Sequence, residues 1–200
     1  MKIAAGGQMK AGLSKRAPGD DLRLIEGLKS RETETFKVFV ETFGPPIFRF
    51  VRLKLGDAVA AEDASQEIFL KAFMKIETLN SDRLFPWMLK IARNHCFDIL
   101  RKRRKTIETP VGLASGEDGF ARGISSAEIP GHANDESGLE LPAILHDLSE
   151  PEREIVLLRV IEELEYCEIA QITGMAEGSI RNAFSRAMRR LREGAECNEM

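Results

Sequence analysis

Apolar residues recur at helical spacing through the first half of the chain, with no strand-like alternation. Phe36, Phe39, Val40 and Phe43 fall at i, i+3, i+4 and i+7. Gly44-Pro45-Pro46 predicts a break, after which residues 47–55 resume the pattern, and Gly56-Asp57 predicts a turn. A helix is expected over 60–77, with Ala64, Ile68, Ala72 and Ile76 along one face. Another is expected over 85–105, with Met88, Ile91, Ala92, His95 and Ile99 facing inward. The pattern is that of a helical bundle.

From 106 to 138 the periodicity vanishes into Gly, Ser, Ala and acids, with turn signals in "SGEDG" and "IPGHAND". So long a structureless loop is unusual inside one compact domain, which puts a boundary there. Order returns with "LSEPERE": Ser149 is placed to cap a helix, Glu152 to close a capping box, and Pro151 sits in the first turn. The expected fold is all-α, with two small helical domains joined by a flexible acidic linker. The expected spans are a tail over 1–21, a first domain over 22–106, a linker over 107–138 and a second domain over 139–200.

"YCEIAQITGMAEGSIRNAFSRAMRRLRE" fits a helix-turn-helix. Its first helix, 166–173, buries Ile169, Ala170 and Ile172, and Gly174 supplies a positive φ for the turn. Ile180, Phe184, Ala187, Met188 and Leu191 form one arc of the second helix. Arg181, Asn182, Ser185, Arg186 and Arg189 form the opposite arc. Cations late in a helix suit its dipole, which accounts for Arg190 and Arg192. Arg181 stands at the wrong end for that. Arginine and asparagine pair with base edges in the major groove, so this helix is read as a DNA-recognition helix.

Charge changes the picture where its mean does not. The formal net charge is −3, yet residues 101–105 are all cationic. From 106 to 150 the only Lys or Arg is Arg122, and Arg181, Arg186, Arg189, Arg190 and Arg192 follow with no acid among them. Two basic clusters around an acidic stretch point to a polyanionic partner. Cys96, Cys167 and Cys197 match no metal-ligand spacing and read as reduced thiols, so neither metal nor cofactor is expected. No apolar run is long enough to span a membrane, and the N-terminus has no secretory core. No phosphate-binding loop, paired-His motif or activated nucleophile suggests an enzyme.

Three motifs in order resemble the extracytoplasmic-function (ECF) group of bacterial sigma factors: "AAEDASQEIFLKAF", "WMLKIARNHCFDILRKRRK" and "LSEPEREIVLLRVIEELEYCEIAQITGMAEGSIRNAFSRAMRRLRE". The resemblance implies a cytoplasmic, noncatalytic initiation factor that binds core RNA polymerase and directs it to a promoter. Asp63, Gln66 and Glu67 would meet the clamp helices of the largest subunit, with a further contact to the flap. Asn94, Asp98 and Arg101 would serve the minus-ten element, with Arg101, Lys102, Arg103, Arg104 and Lys105 on phosphates. Asn94, Phe97, Asp98 and Arg101 share one helical face, and Asp98 is spaced to pair with Lys102. Ser179, Arg181, Asn182, Ser185, Arg186 and Arg189 would serve the minus-thirty-five element. The loop "LNSDRLF" lies where the family forms a pocket for a flipped-out base. Trp87 and His95 read as core residues. The family also implies an anti-sigma factor as partner. Ala176 and Glu165 depart from the family's small polar caps. The alternative is a helix-turn-helix regulator that never joins polymerase.

Overall fold

The computed structural model describes residues 18–108, 145 and 148–198. Among these the chain is helical, with no strand. The first half comprises α1 (Pro18–Lys29), α2 (Thr33–Leu55), α3 (Ala58–Lys75) and α4 (Leu84–Glu108). A short 3-10 turn, Ile76–Thr78, ends α3. The first turn of α1 falls within the stretch expected as tail. The rest of that tail and most of the expected linker lie outside the described residues.

The predicted break at Gly44-Pro45-Pro46 is overturned, since α2 runs through both prolines. Each proline in a helix interior costs about 3 kcal/mol through a lost donor and a crowded preceding turn. Phe39, Phe43, Ile47 and Phe50 are fully buried on either side of them. Burying such a side chain stabilises by about 1.5–3 kcal/mol, so one continuous rod outweighs the local penalty. Phe39 meets Phe69 edge-on with centroids 5.2 Å apart, and Phe43 stacks on Phe85 at 5.9 Å.

Polar ties set the helix ends. Asp57 caps α3 by accepting from the Val59 and Ala60 N–H groups at 2.9 and 3.4 Å. Buried Asp21 of α1 accepts from the Leu84 N–H at 3.0 Å, anchoring the start of α4. A Cβ on Gly27 would lie 2.4 Å from Thr35 Oγ1, so glycine is what lets α1 close on α2.

The second half contains α5 (Glu150–Val156), which continues as a π-helical turn over Leu157–Ile161, then α6 (Tyr166–Thr173) and α7 (Glu177–Asn198). The wide turn closes with Glu162 N–H donating to Leu157 O at 3.1 Å, and Glu163 follows at φ +54°. α6 has the bounds its sequence predicts. Its weak cap is repaired from within, because Glu168 accepts from the Glu165 N–H at 2.9 Å.

The halves are packed together. One apolar cluster runs from the first bundle into Ile155, Leu158, Leu164, Ile169 and Ile172, and α4 packs on α6. Its rim is ionic. Arg49 holds buried Glu162 through Nη2 at 3.0 and 2.9 Å. Lys54 Nζ lies 2.6 Å from Glu150 and 2.9 Å from Glu154, and Arg93 Nε is 3.1 Å from Glu154. Arg83 reaches Glu168 at 2.8 Å. Burial opposes the Lys54 charge, but Glu154 and Glu150 outweigh it and raise its pKa above the usual lysine value.

Candidate polymerase and nucleic-acid interfaces

On α3, the Ala64, Ile68 and Ala72 stripe is buried, as its spacing predicts. Asp63, Gln66 and Glu67 are exposed on the other side. At about 100° per residue, Val59, Leu70 and Met74 share their arc. These three are 71%, 57% and 67% exposed, so the face mixes acid with bare hydrocarbon. The buried-stripe spacing does not reveal this apolar half. Its signal is large apolar residues off that stripe, two of them one turn apart.

Glu67 is not isolated on this face. Its Oε2 lies 3.6 Å from Lys71 and 3.4 Å from Nε2 of buried His95 on α4. Lys71 Nζ is 2.6 Å from His95 Nδ1. A lysine ammonium has only protons to give, so this ring nitrogen accepts and the imidazole is neutral. Burial first, then Lys71, lowers the His95 pKa. With His95 held inward, the next residue back, Asn94, faces outward and is exposed.

Asp98 and Arg101 to Lys105 are also exposed. Asp98 pairs with Arg101 at 3.2 Å. Phe97 keeps its place on that face but is covered there. It is half-buried, with the Arg93 guanidinium 4.5 Å and Lys54 Nζ 5.5 Å from its ring. Trp87 is half-buried against the main core. In the loop read as a base pocket, Arg83 is engaged with Glu168.

The helix-turn-helix forms as its sequence predicts. Gly174 has φ +73° and donates its N–H to Ala170 O at 2.8 Å, and Ile180 is fully buried. Thr173 Oγ1 accepts from the Met175 N–H at 3.3 Å, ordering the turn. Ser179, Arg181, Asn182, Ser185, Arg186 and Arg189 are all exposed on α7. Several are already oriented. Arg181 pairs with Glu177 at 3.3 Å and lies 5.1 Å from the Tyr166 ring centroid, which explains its place in the first turn. Arg189 is 3.9 Å from Glu193, and Arg186 Nε is 3.5 Å from Glu152.

Residues 39–106 match the model for Sigma-70 region 2, and residues 138–191 match that for Sigma-70, region 4. The chain belongs to the sigma-70 family, in its ECF group. It is 25% identical over 176 residues to the ECF RNA polymerase sigma factor SigW of Bacillus subtilis, covering 84% of this chain and 93% of that one. It is 27% identical over 146 residues to SigM of the same organism, covering 73% and 86%. The sigma factor RpoE of Bartonella quintana, solved in complex with the anti-sigma factor NepR, has the same fold, with a TM-score of 0.61 at 24% identity. That likeness covers 80% of this chain and 96% of RpoE.

This sigma factor therefore binds core RNA polymerase, recognises minus-ten and minus-thirty-five promoter elements and promotes initiation. A regulator using only the helix-turn-helix is not favoured, because region 2 accounts for most of the first half. Among the described residues no helix is long and apolar enough to cross a membrane, and no cluster is suited to a metal ion.

Proposed function

We propose that this ECF sigma factor divides its contacts among three exposed helix faces. The α3 face, with Asp63, Gln66 and Glu67 beside Val59, Leu70 and Met74, docks on the clamp helices of the polymerase's largest subunit. On α4, Asn94, Asp98 and Arg101 serve the minus-ten element, while Lys102, Arg103, Arg104 and Lys105 add phosphate affinity. On α7, Ser179, Arg181, Asn182, Ser185, Arg186 and Arg189 serve the minus-thirty-five element. Val160 and Ile161, 53% and 37% exposed, are suited to an apolar contact with the flap. The factor works in the cytoplasm, has no catalysis of its own, and is held in check by an anti-sigma factor, as RpoE is found with NepR. The observation that carries this reading is the simultaneous exposure of all three faces.

Reading both elements requires the halves to part. By their names the elements lie about 25 base pairs apart, roughly 85 Å at about 3.4 Å per pair. A compact chain of this length is only about 40 Å across. The α4–α6 contact and its ionic rim thus belong to a closed form that opens on polymerase.

The test is transcription by holoenzyme reconstituted from the full chain and core polymerase on a genomic template library, with the transcripts sequenced. Starts should share a two-part upstream motif, and no start from any template would overturn the reading. Arg104→Ala should weaken binding evenly across sequences and reduce the salt slope by about 1. Arg181→Ala should instead relax the choice of bases in the upstream element.

A further inference from the structure

Glu152 is a buried carboxylate in the first turn of α5, which packs on α7, and its partners are its own cap Ser149 and two arginines of the recognition helix. Its side chain is only 6% exposed. Oε2 accepts from the Ser149 hydroxyl at 2.7 Å, the Ser149 N–H at 3.2 Å and Arg190 Nη1 at 2.9 Å. Oε1 faces Arg186 Nε at 3.5 Å. Arg186 and Arg190 are one helical turn apart, so a single acid at the start of α5 gathers both.

We infer that Glu152 is a positioning residue for promoter reading, which orients Arg186 toward bases and withholds Arg190 from phosphates. This rests on α7 being the recognition helix. A guanidinium held through its Nε–H leaves the outward N–H groups on both Nη atoms for another partner, and Arg186 is 55% exposed. That pair of donors is what bidentate contact with a guanine edge requires. Arginine carries large rotamer entropy, and ordering it in advance reduces what is lost on binding. The acid has a second effect: its charge offsets one cation, lowering the affinity of this face for any phosphate backbone. Ser149 matters because its hydroxyl and N–H hold the carboxylate in place. Burial disfavours the Glu152 anion, but the Ser149 bonds and then Arg190 and Arg186 outweigh burial and lower its pKa.

The experiment compares holoenzymes carrying wild-type factor, Glu152→Gln or Arg190→Met. Each is tested on promoters with the selected or a scrambled upstream element over one minus-ten element. For Glu152→Gln, preference for the selected element should fall about tenfold while affinity for the scrambled one holds or rises. Its salt slope should steepen by up to about 1 as a cation is released to phosphate. Arg190→Met breaks the 2.9 Å clasp but leaves Glu152 facing Arg186, so it should keep the preference. The inference is overturned if Glu152→Gln lowers both affinities by the same factor, or if Arg190→Met loses as much preference. Should wild type itself show no preference at the upstream element, the assignment of α7 fails first, and a preference unchanged in Glu152→Gln removes only the role given to Glu152.

Discussion

Lys54 of α2 and Glu154 of α5, 100 residues apart in the chain, form a buried ion pair at 2.9 Å across the seam between the two halves. Both side chains are nearly inaccessible, and Glu150 and Arg93 complete the cluster. Removing one member of a buried pair leaves an uncompensated charge and costs about 3–5 kcal/mol.

That cost should fall on docking rather than on either bundle. Lys54→Met should open the seam, read as a fall in energy transfer between fluorophores at positions 29 and 193. A cleaner test uses the neighbouring pair: Arg49→Glu should open it and Arg49→Glu with Glu162→Arg should close it again. Unchanged transfer in Lys54→Met and Arg49→Glu would mean the ionic rim does not hold the halves together.

The bare hydrocarbon on α3 should matter for polymerase as much as the acids do. Leu70→Glu and Met74→Glu change exposed side chains, so the melting temperature should stay within a few degrees. Each should weaken binding to core polymerase about tenfold or more, as should Asp63→Arg, measured by titration of labelled factor with core. Full affinity in all three would move the docking face elsewhere.

His95 predicts a pH dependence. Its folded pKa lies below the ordinary value of about 6.5, so the unfolded chain takes up a proton first as pH falls. The stability it contributes is present above about 6.5 and is lost as pH falls through the depressed folded value. Urea midpoints should therefore drop between pH 7.5 and pH 5.5 in wild type. In His95→Leu that drop should shrink, and an equal drop in both would assign it to other groups.

Gly174→Ala should weaken the turn of the helix-turn-helix. A Cβ there meets nothing within 4 Å, so the cost is conformational, from φ +73°. About 1 kcal/mol is expected, seen as a lower melting temperature and weaker upstream-element binding. Gly174→Asn, which tolerates this conformation better, should recover part of it.

Helix faces were legible because their signal is local. The spacing of Ala64, Ile68 and Ala72 identifies the buried side of α3, and Gly174 with Ile180 defines the turn before α7. Where a neighbour in space decides, the local signal misleads. Phe97 shares a face with Asn94 and Asp98 on a helical wheel, yet Arg93 and Lys54 cover it. Arg181 looks misplaced against the helix dipole until Glu177 and Tyr166 are seen beside it.

The sequence by itself determined an all-helical chain, three ordered motifs and the outward faces of α3, α4 and α7. Periodicity and turn chemistry act over a few residues and do not depend on the rest of the chain. Only the tertiary structure decided that α2 passes through two prolines, that Glu152 gathers two arginines and that the halves close on one another. Those outcomes depend on burial shared by distant segments, such as Arg49 and Glu162, 113 residues apart. Their energies exist only once the chain has brought them together.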